Sequence, residues 1–279
     1  MKIIKKIDND KNKILIYKIK NKKYVDKIFN NKNLEYLKRE VLGYKFFKKN
    51  NYFNIPKFYS FRIKDKSNKI TIQFIDGKKV KITDLNKIYK RKIFVKKKIM
   101  IEKYILDLIK IYKIQINNPL IKKLIQNNSL IKRKVFVTMT HGDFVHYNCL
   151  MRNKIYYVFD FEKYRERIVV FDCLNWFVHP LLLKYFKFFT PQNKNLIIKI
   201  LNNISLKFFN FIIMKFTQKF FYNYKIDKNF FNLYYLLFLI EKILIIQKDI
   251  SYVSDKKEKI NAYKQIKILK FIYQNLQNN

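Results

Sequence analysis

His141-Gly142-Asp143-Phe144-Val145-His146-Tyr147-Asn148, followed after an apolar run by Asp160-Phe161-Glu162, decides how this 279-residue chain reads. Each station follows a run of β-type residues: Val135-Phe136-Val137-Thr138-Met139 before the first, and Ile155-Tyr156-Tyr157-Val158-Phe159 before the second. Phosphoryl transfer needs a carboxylate facing an attacking hydroxyl, and a carboxylate and an amide to hold Mg²⁺ against nucleotide phosphates. The two stations carry those groups. Gly142 is one of only three glycines, with Gly43 and Gly77. Such sparing use points to places where backbone geometry or close approach demands the residue. Asp and Asn are ordinary turn residues, so a lone His-Gly-Asp carries little information. The joint occurrence with Asn148, a β run and Asp-Phe-Glu is far more specific.

This pattern resembles the aminoglycoside phosphotransferase and choline kinase-like superfamily, small-molecule kinases with a protein-kinase-like fold. The resemblance implies an α+β, bilobal architecture. Residues 1–77 would form a small antiparallel-sheet lobe with one helix and the hinge, binding the nucleotide. Residues 78–279 would form a mainly helical lobe for catalysis and substrate binding. Asp143 would be the catalytic base, assisted by Asn148. Asn148 and Asp160 would be the magnesium ligands, with Asp160 standing where protein kinases have the Asp of Asp-Phe-Gly. His141 and Asp172 would be structural supports, Asp172 bracing the catalytic loop. His146 and Tyr147 depart from the Pro-Gly or Pro-Trp often found before the Asn. The implied cofactors are ATP and Mg²⁺. The implied reaction moves the γ-phosphoryl group of Mg·ATP to a hydroxyl of a small molecule, sugar or glycolipid.

The upstream sequence supplies the partners this needs. Lys2–Ile7, Lys13–Lys20 and Lys23–Phe29 read as three short strands, separated by Asp8–Asn12 and Asn21-Lys22. Apolar residues at 34, 37, 41, 44 and 47 then follow helical spacing. Lys27 on the third strand and Glu40 on this helix form the natural ion pair, the kinase arrangement in which a lysine grips the phosphates. No glycine-rich loop separates the first two strands, and no Walker-type Gly-Lys-Ser/Thr occurs. Lys57–Lys64 and Lys69–Ile75 read as two further strands joined at Asp65–Asn68. By position, the backbone of Gln73, Phe74 and Ile75 would meet the adenine edge, with Gly77 giving a bend.

From about Lys81 the pattern turns helical. Ile101, Tyr104, Ile105, Leu108, Ile109 and Tyr112 line one face. Segments Asn195–Lys219, Asn229–Gln247 and Lys256–Leu276 read as helices. In kinase-like folds such late helices build much of the acceptor pocket, although aromatic residues at helical spacing are more often core.

The formal net charge of +41 suggests an anionic partner at first sight. Lys, Asn, Ile, Tyr and Phe, however, all have A/T-rich codons and dominate every segment, so base composition accounts for much of the excess. Residues 1–134 carry +29 and residues 135–279 carry +12. The densest patch, Lys87–Lys98, reads as a solvated face; its sharper use is peripheral contact with an anionic membrane. No specific nucleic-acid binding is expected. Three histidines and two cysteines show neither zinc spacing nor a disulfide framework, which suits a reducing compartment. The longest apolar run, Leu233–Ile240, is too short to span a bilayer, and charges interrupt the N-terminus as a signal peptide. A cytoplasmic kinase is the expectation. Few acids in the second half tilt the acceptor toward a neutral or anionic hydroxyl compound. The alternatives are a choline/ethanolamine- or aminoglycoside-type kinase, a protein kinase, a catalytically silent kinase-like binding protein, and a basic nucleic-acid-binding protein.

Overall fold

Lys22–Phe29 is the strand on which the first half of the molecule is built. In the computed structural model, residues 1–8, 12–63, 68–88, 97–115, 118–185, 192–193, 195–201, 203 and 228–277 are described. Five strands, β1 (Lys2–Asp8), β2 (Asn12–Ile19), β3 (Lys22–Phe29), β4 (Phe58–Arg62) and β5 (Asn68–Gln73), form an antiparallel sheet in the order β1-β2-β3-β5-β4. β3 lies at its centre, with Lys27 opposite Ile14 on one side and Ile70 on the other. The five strands expected here from the sequence are all present. The expected turns at Asp8–Asn12 and Asp65–Asn68 fall largely outside the described residues.

α1 (Leu34–Asn50) follows β3. Leu37, Val41, Tyr44 and Phe47 are buried as their spacing predicts, and Glu40 is buried on the same helix. The helix ends at Asn51, whose left-handed φ of 52° is tolerated by Asn and lets its N–H cap the Phe47 carbonyl. β6 (Lys78–Lys79) joins β9 (Cys149–Arg152) and β10 (Ile155–Val158) in a second small sheet. Asn153 and Lys154, both with positive φ, make the two-residue connection between β9 and β10, a primed turn suited to strand twist.

The chain divides into two compact units. The first comprises residues 1–93 and 140–165, and the second residues 94–139 and 166–279. In the second, β7 (Lys97–Met100), β8 (Lys134–Thr140) and β11 (Arg165–Ile168) make a three-stranded sheet in the order β11-β8-β7. Its long helices are α3 (Ile101–Tyr112), α6 (Phe171–Tyr185), α7 (Lys228–Ile250) and α8 (Lys256–Gln277). The short helices are α2 (Leu85–Ile88), in the first unit, and α4 (Pro119–Ile125) and α5 (Asn128–Ile131), in the second. Arg167 and Glu241, both fully buried, form an ion pair of 2.7 Å, and the hydroxyls of Tyr104 and Tyr112 donate to the same carboxylate. A buried carboxylate requires such saturation by donors. Of the helix expected over Asn195–Lys219, residues 195–201 are helical; most of the remainder lies outside the described residues. Most of the basic patch Lys87–Lys98 lies outside them as well. No described helix is long and apolar enough to cross a membrane.

Gly43 faces the turn at residues 161–164. A Cβ there would stand 2.5 Å from Phe161 Cβ and 3.1 Å from Tyr164 Cβ. Alanine ordinarily favours a helix by about 1 kcal/mol over glycine. Here overpacking against two backbone-anchored atoms opposes that gain and wins. Gly43→Ala is expected to lower unfolding stability by about 1–2 kcal/mol in a urea titration; equal or higher stability would show that α1 and this turn are not in tight contact.

Candidate active site

Three separate stretches of the first unit deliver charge to one point. β3 provides Lys27, α1 provides Glu40, and the segment after β10 provides Asp160 and Glu162. Lys27 Nζ lies 2.9 Å from Glu40 Oε2, an ion pair without aligned hydrogen-bond geometry. It donates to Glu162 Oε2 at 3.3 Å and makes a short contact with Asp160 Oδ1. Burial alone would push the ammonium down, but Asp160, Glu40 and Glu162 outweigh it and hold Lys27 well above its ordinary 10.5. Glu40 is raised from 4.5 to about 7: burial disfavours its charge, Lys27 opposes that, and Asp160 and Glu162 add repulsion. One lysine thus faces three carboxyl groups. Asp160 remains the accessible one, with 30% of its side chain exposed.

Phe161, between Asp160 and Glu162 in the chain, anchors this segment in the core. It is fully buried, with ring centroids of Tyr44 at 4.8 Å, Phe47 at 5.1 Å and His141 at 4.7 Å. Asp160 itself adopts a left-handed φ of 71°. That conformation costs a non-glycine residue roughly 1–2 kcal/mol, so the aromatic cage and the lysine hold it against a local preference.

The loop from His141 to Asn148 is fastened to the same place. Gly142, at φ 84°, turns the chain so that the Asp143 N–H donates to His141 Nδ1 at 3.2 Å. His141 therefore carries its proton on Nε2, which donates to the Phe159 carbonyl at 2.9 Å. At the other end, the Phe159 N–H donates to the Asn148 carbonyl at 3.2 Å. Both ends of the loop are thus pinned to the residue preceding Asp160. Asn148 Nδ2 donates to the Asp143 carbonyl at 2.8 Å, which commits the amide nitrogen and leaves Oδ1 as the group suited to a cation. Tyr147 has its hydroxyl pushed up by burial and by Asp143 and Asp160, with Lys163 opposing.

Sequence reasoning put Lys27 and Glu40 in residues 1–77 and His141, Asp143, Asn148 and Asp160 in residues 78–279; the structure brings all six into its first compact unit. At Gln73–Ile75 the structure narrows the options: the Gln73 N–H donates to Lys57 at 2.8 Å and the Phe74 N–H to Lys23 at 3.3 Å. No intramolecular partner for the Ile75 N–H is found among the described residues. Asp172 is buried in the first turn of α6, in the second unit. Two residues were given no role from sequence. Glu162 is the third carboxylate on Lys27, and Lys163 Nζ lies 3.8 Å from Asp143 Oδ2.

No protein-family profile matches the chain, and no curated protein matches its sequence. Its structure is similar to a choline kinase from Streptococcus pneumoniae, with a TM-score of 0.58 and 13% identity over 97% of this chain and 95% of that one. It is also similar to an amicoumacin kinase in complex with AMP-PNP and Ca²⁺ (TM-score 0.57, 12% identity, 97% and 88% of the chains). A thermostable mutant of an aminoglycoside phosphotransferase matches with a TM-score of 0.55 and 10% identity, over 98% and 95%. The fold expected from the two motifs, mixed helix and sheet with an antiparallel N-terminal sheet, is the fold observed, and it is shared with these kinases.

The raised Glu40 carboxyl has a definite effect on stability. Folded protein holds a proton that the unfolded chain releases between about pH 4.5 and about 7, so this group makes stability fall as pH rises through that window. Lys27 works differently: its contribution is complete below its unfolded value and is lost only at still more alkaline pH. Glu40→Gln mimics the protonated carboxyl. Its stability relative to wild type should rise steadily between pH 4.5 and 7 in thermal melts of the nucleotide-free protein; a difference independent of pH would contradict the raised value.

Proposed function

We propose that this protein is an ATP-dependent phosphotransferase acting on a hydroxyl of a small molecule, sugar or glycolipid. The observation that carries the proposal is the convergence of Lys27, Glu40 and Asp160, from β3, α1 and the segment after β10, beside a loop that presents Asp143 and Asn148. A buried lysine held by carboxylates suits the grip on α- and β-phosphates that kinases need. The functional division would fall at the hinge, with residues 1–77 holding nucleotide and 78–279 holding acceptor and catalytic residues. Ile75 N–H is the hinge donor suited to an adenine edge.

The donor set fits a hard divalent cation. Carboxylate oxygens of Glu40, Asp160 and Glu162 lie within 4.8 Å of one another and exceed the charge of Lys27. Asp160 and the Asn148 oxygen would hold Mg²⁺, which when bound neutralises charge on the phosphates. Asp143 accepts or orients the proton of the attacking hydroxyl. His141 keeps that carboxylate in place through its backbone. Positioning and charge neutralisation supply most of the rate. Asp172 would be a structural support, as the resemblance implies. The buried thiols of Cys149 and Cys173 fit a cytoplasmic setting. A cationic acceptor is the competing reading, favoured by the choline kinase and aminoglycoside phosphotransferase whose folds this chain shares.

The test is transfer of labelled γ-phosphate from Mg·ATP into fractionated extract of the source cell. Asp143→Asn should cut transfer by about 10²–10⁴-fold with nucleotide binding retained. Label in the polar small-molecule or glycolipid fraction supports the proposal. Transfer that persists in the variant would remove Asp143 as the base, and label confined to protein would point to a protein kinase.

A further inference from the structure

The turn after Asp160 sends two consecutive, oppositely charged side chains to two different centres. The Tyr164 N–H donates to the Phe161 carbonyl at 2.9 Å, so Glu162 and Lys163 occupy the middle of a tight turn. Its flanks are fixed: Phe161 by its cage, and Tyr164 by Phe46 and Phe47 at centroid distances of 5.7 and 5.9 Å. Glu162 turns to Lys27, and Lys163 turns to Asp143.

At 3.8 Å the Lys163–Asp143 contact is coulombic rather than a hydrogen bond. Only 12% of the lysine side chain and 18% of the aspartate side chain are exposed, so water and salt screen the pair less than a surface pair. An acceptor hydroxyl hydrogen-bonded to Asp143 therefore arrives beside a fixed positive charge. An amino alcohol carries its ammonium two carbons from the reacting oxygen, close enough to be repelled. A neutral alcohol meets no such penalty.

We infer that Lys163 is a specificity-determining residue that rejects cationic amino alcohols and leaves neutral polyhydroxy compounds of the sugar class as acceptors. The inference rests on the phosphotransferase reading and deepens it by assigning the acceptor class. Asp143 alone would attract a cation; Lys163 beside it offsets that attraction and repels an ammonium that comes nearer to it than to the carboxylate. The turn makes this arrangement possible, because its two pinned aromatic flanks fix the backbone from which Lys163 projects.

The experiment compares wild type, Lys163→Gln and Lys163→Arg against a panel of neutral hexoses and polyols and against choline and ethanolamine, with Mg·ATP in excess. The readout is the ratio of kcat/KM for neutral over cationic acceptors. Wild type should favour neutral acceptors, Lys163→Gln should lower the ratio by about tenfold, and Lys163→Arg should restore it. A wild-type preference for choline or ethanolamine would overturn the inference. So would an equal loss with all acceptors and an unchanged ratio, which would make Lys163 a ligand of the phosphoryl group instead. Intact ATP turnover dependent on Asp143, with no transfer to any neutral acceptor, would overturn the assigned class. Absence of any Asp143-dependent ATP turnover would instead sink the phosphotransferase reading itself.

Discussion

One buried ammonium surrounded by three carboxyl groups is the constraint on which the first unit depends. Lys27 sits on the central strand of its sheet, where desolvation would neutralise an unpartnered lysine. Glu40, Asp160 and Glu162 keep it charged, and in doing so they join β3, α1 and the segment after β10. The attraction is bought with repulsion among the carboxylates, visible in the raised Glu40. Removing one partner of such a set costs more than the set contributes, because the remaining charges stay buried. The cluster therefore fixes the position of Asp160 more than it adds to net stability.

Everything else in the unit serves to present Asp160 and Asp143 from a rigid frame. Phe161 anchors the strained Asp160 backbone from the apolar side, and Gly43 makes room for that anchor against α1. Phe159 ties down both ends of the loop that carries Asp143 and Asn148. Two neighbouring backbone groups of one residue thus set the spacing between the two stations. The same economy recurs in the turn at residues 161–164, where adjacent side chains reach Lys27 and Asp143.

Much of this was legible before any coordinates. Clusters of Asn and Asp between β-type runs mark the strands of the first sheet, and the apolar spacing of α1 marks the face that buries Leu37, Val41, Tyr44 and Phe47; β1, exposed along its whole length, carries no burial signal. Lys27 and Glu40 could be paired because a strand-end lysine and a helix carboxylate follow each other at a familiar distance in the chain. Glu162 belongs to a motif, yet its target is invisible in the sequence: it contacts a residue 135 positions away, and nothing local marks that. Lys163 was hidden by composition, since one lysine among so many carries no signal until the turn aims it. α6 escaped notice because it is apolar on nearly every side, which erases its period, and because Pro180 suggests a break. The Gln73–Ile75 backbone illustrates a different limit: hydrogen-bond partners of main-chain groups in an irregular segment depend on strands brought alongside by folding.

The proposed role of Asp160 is to hold a divalent cation against bound nucleotide. It is tested most directly by calorimetric titration of a non-hydrolysable ATP analogue into wild type and Asp160→Ala, each with and without Mg²⁺. The account predicts that Mg²⁺ tightens binding to wild type by about tenfold or more, and that the variant loses this enhancement while still binding the metal-free analogue. Equal Mg²⁺ enhancement in both proteins would contradict it.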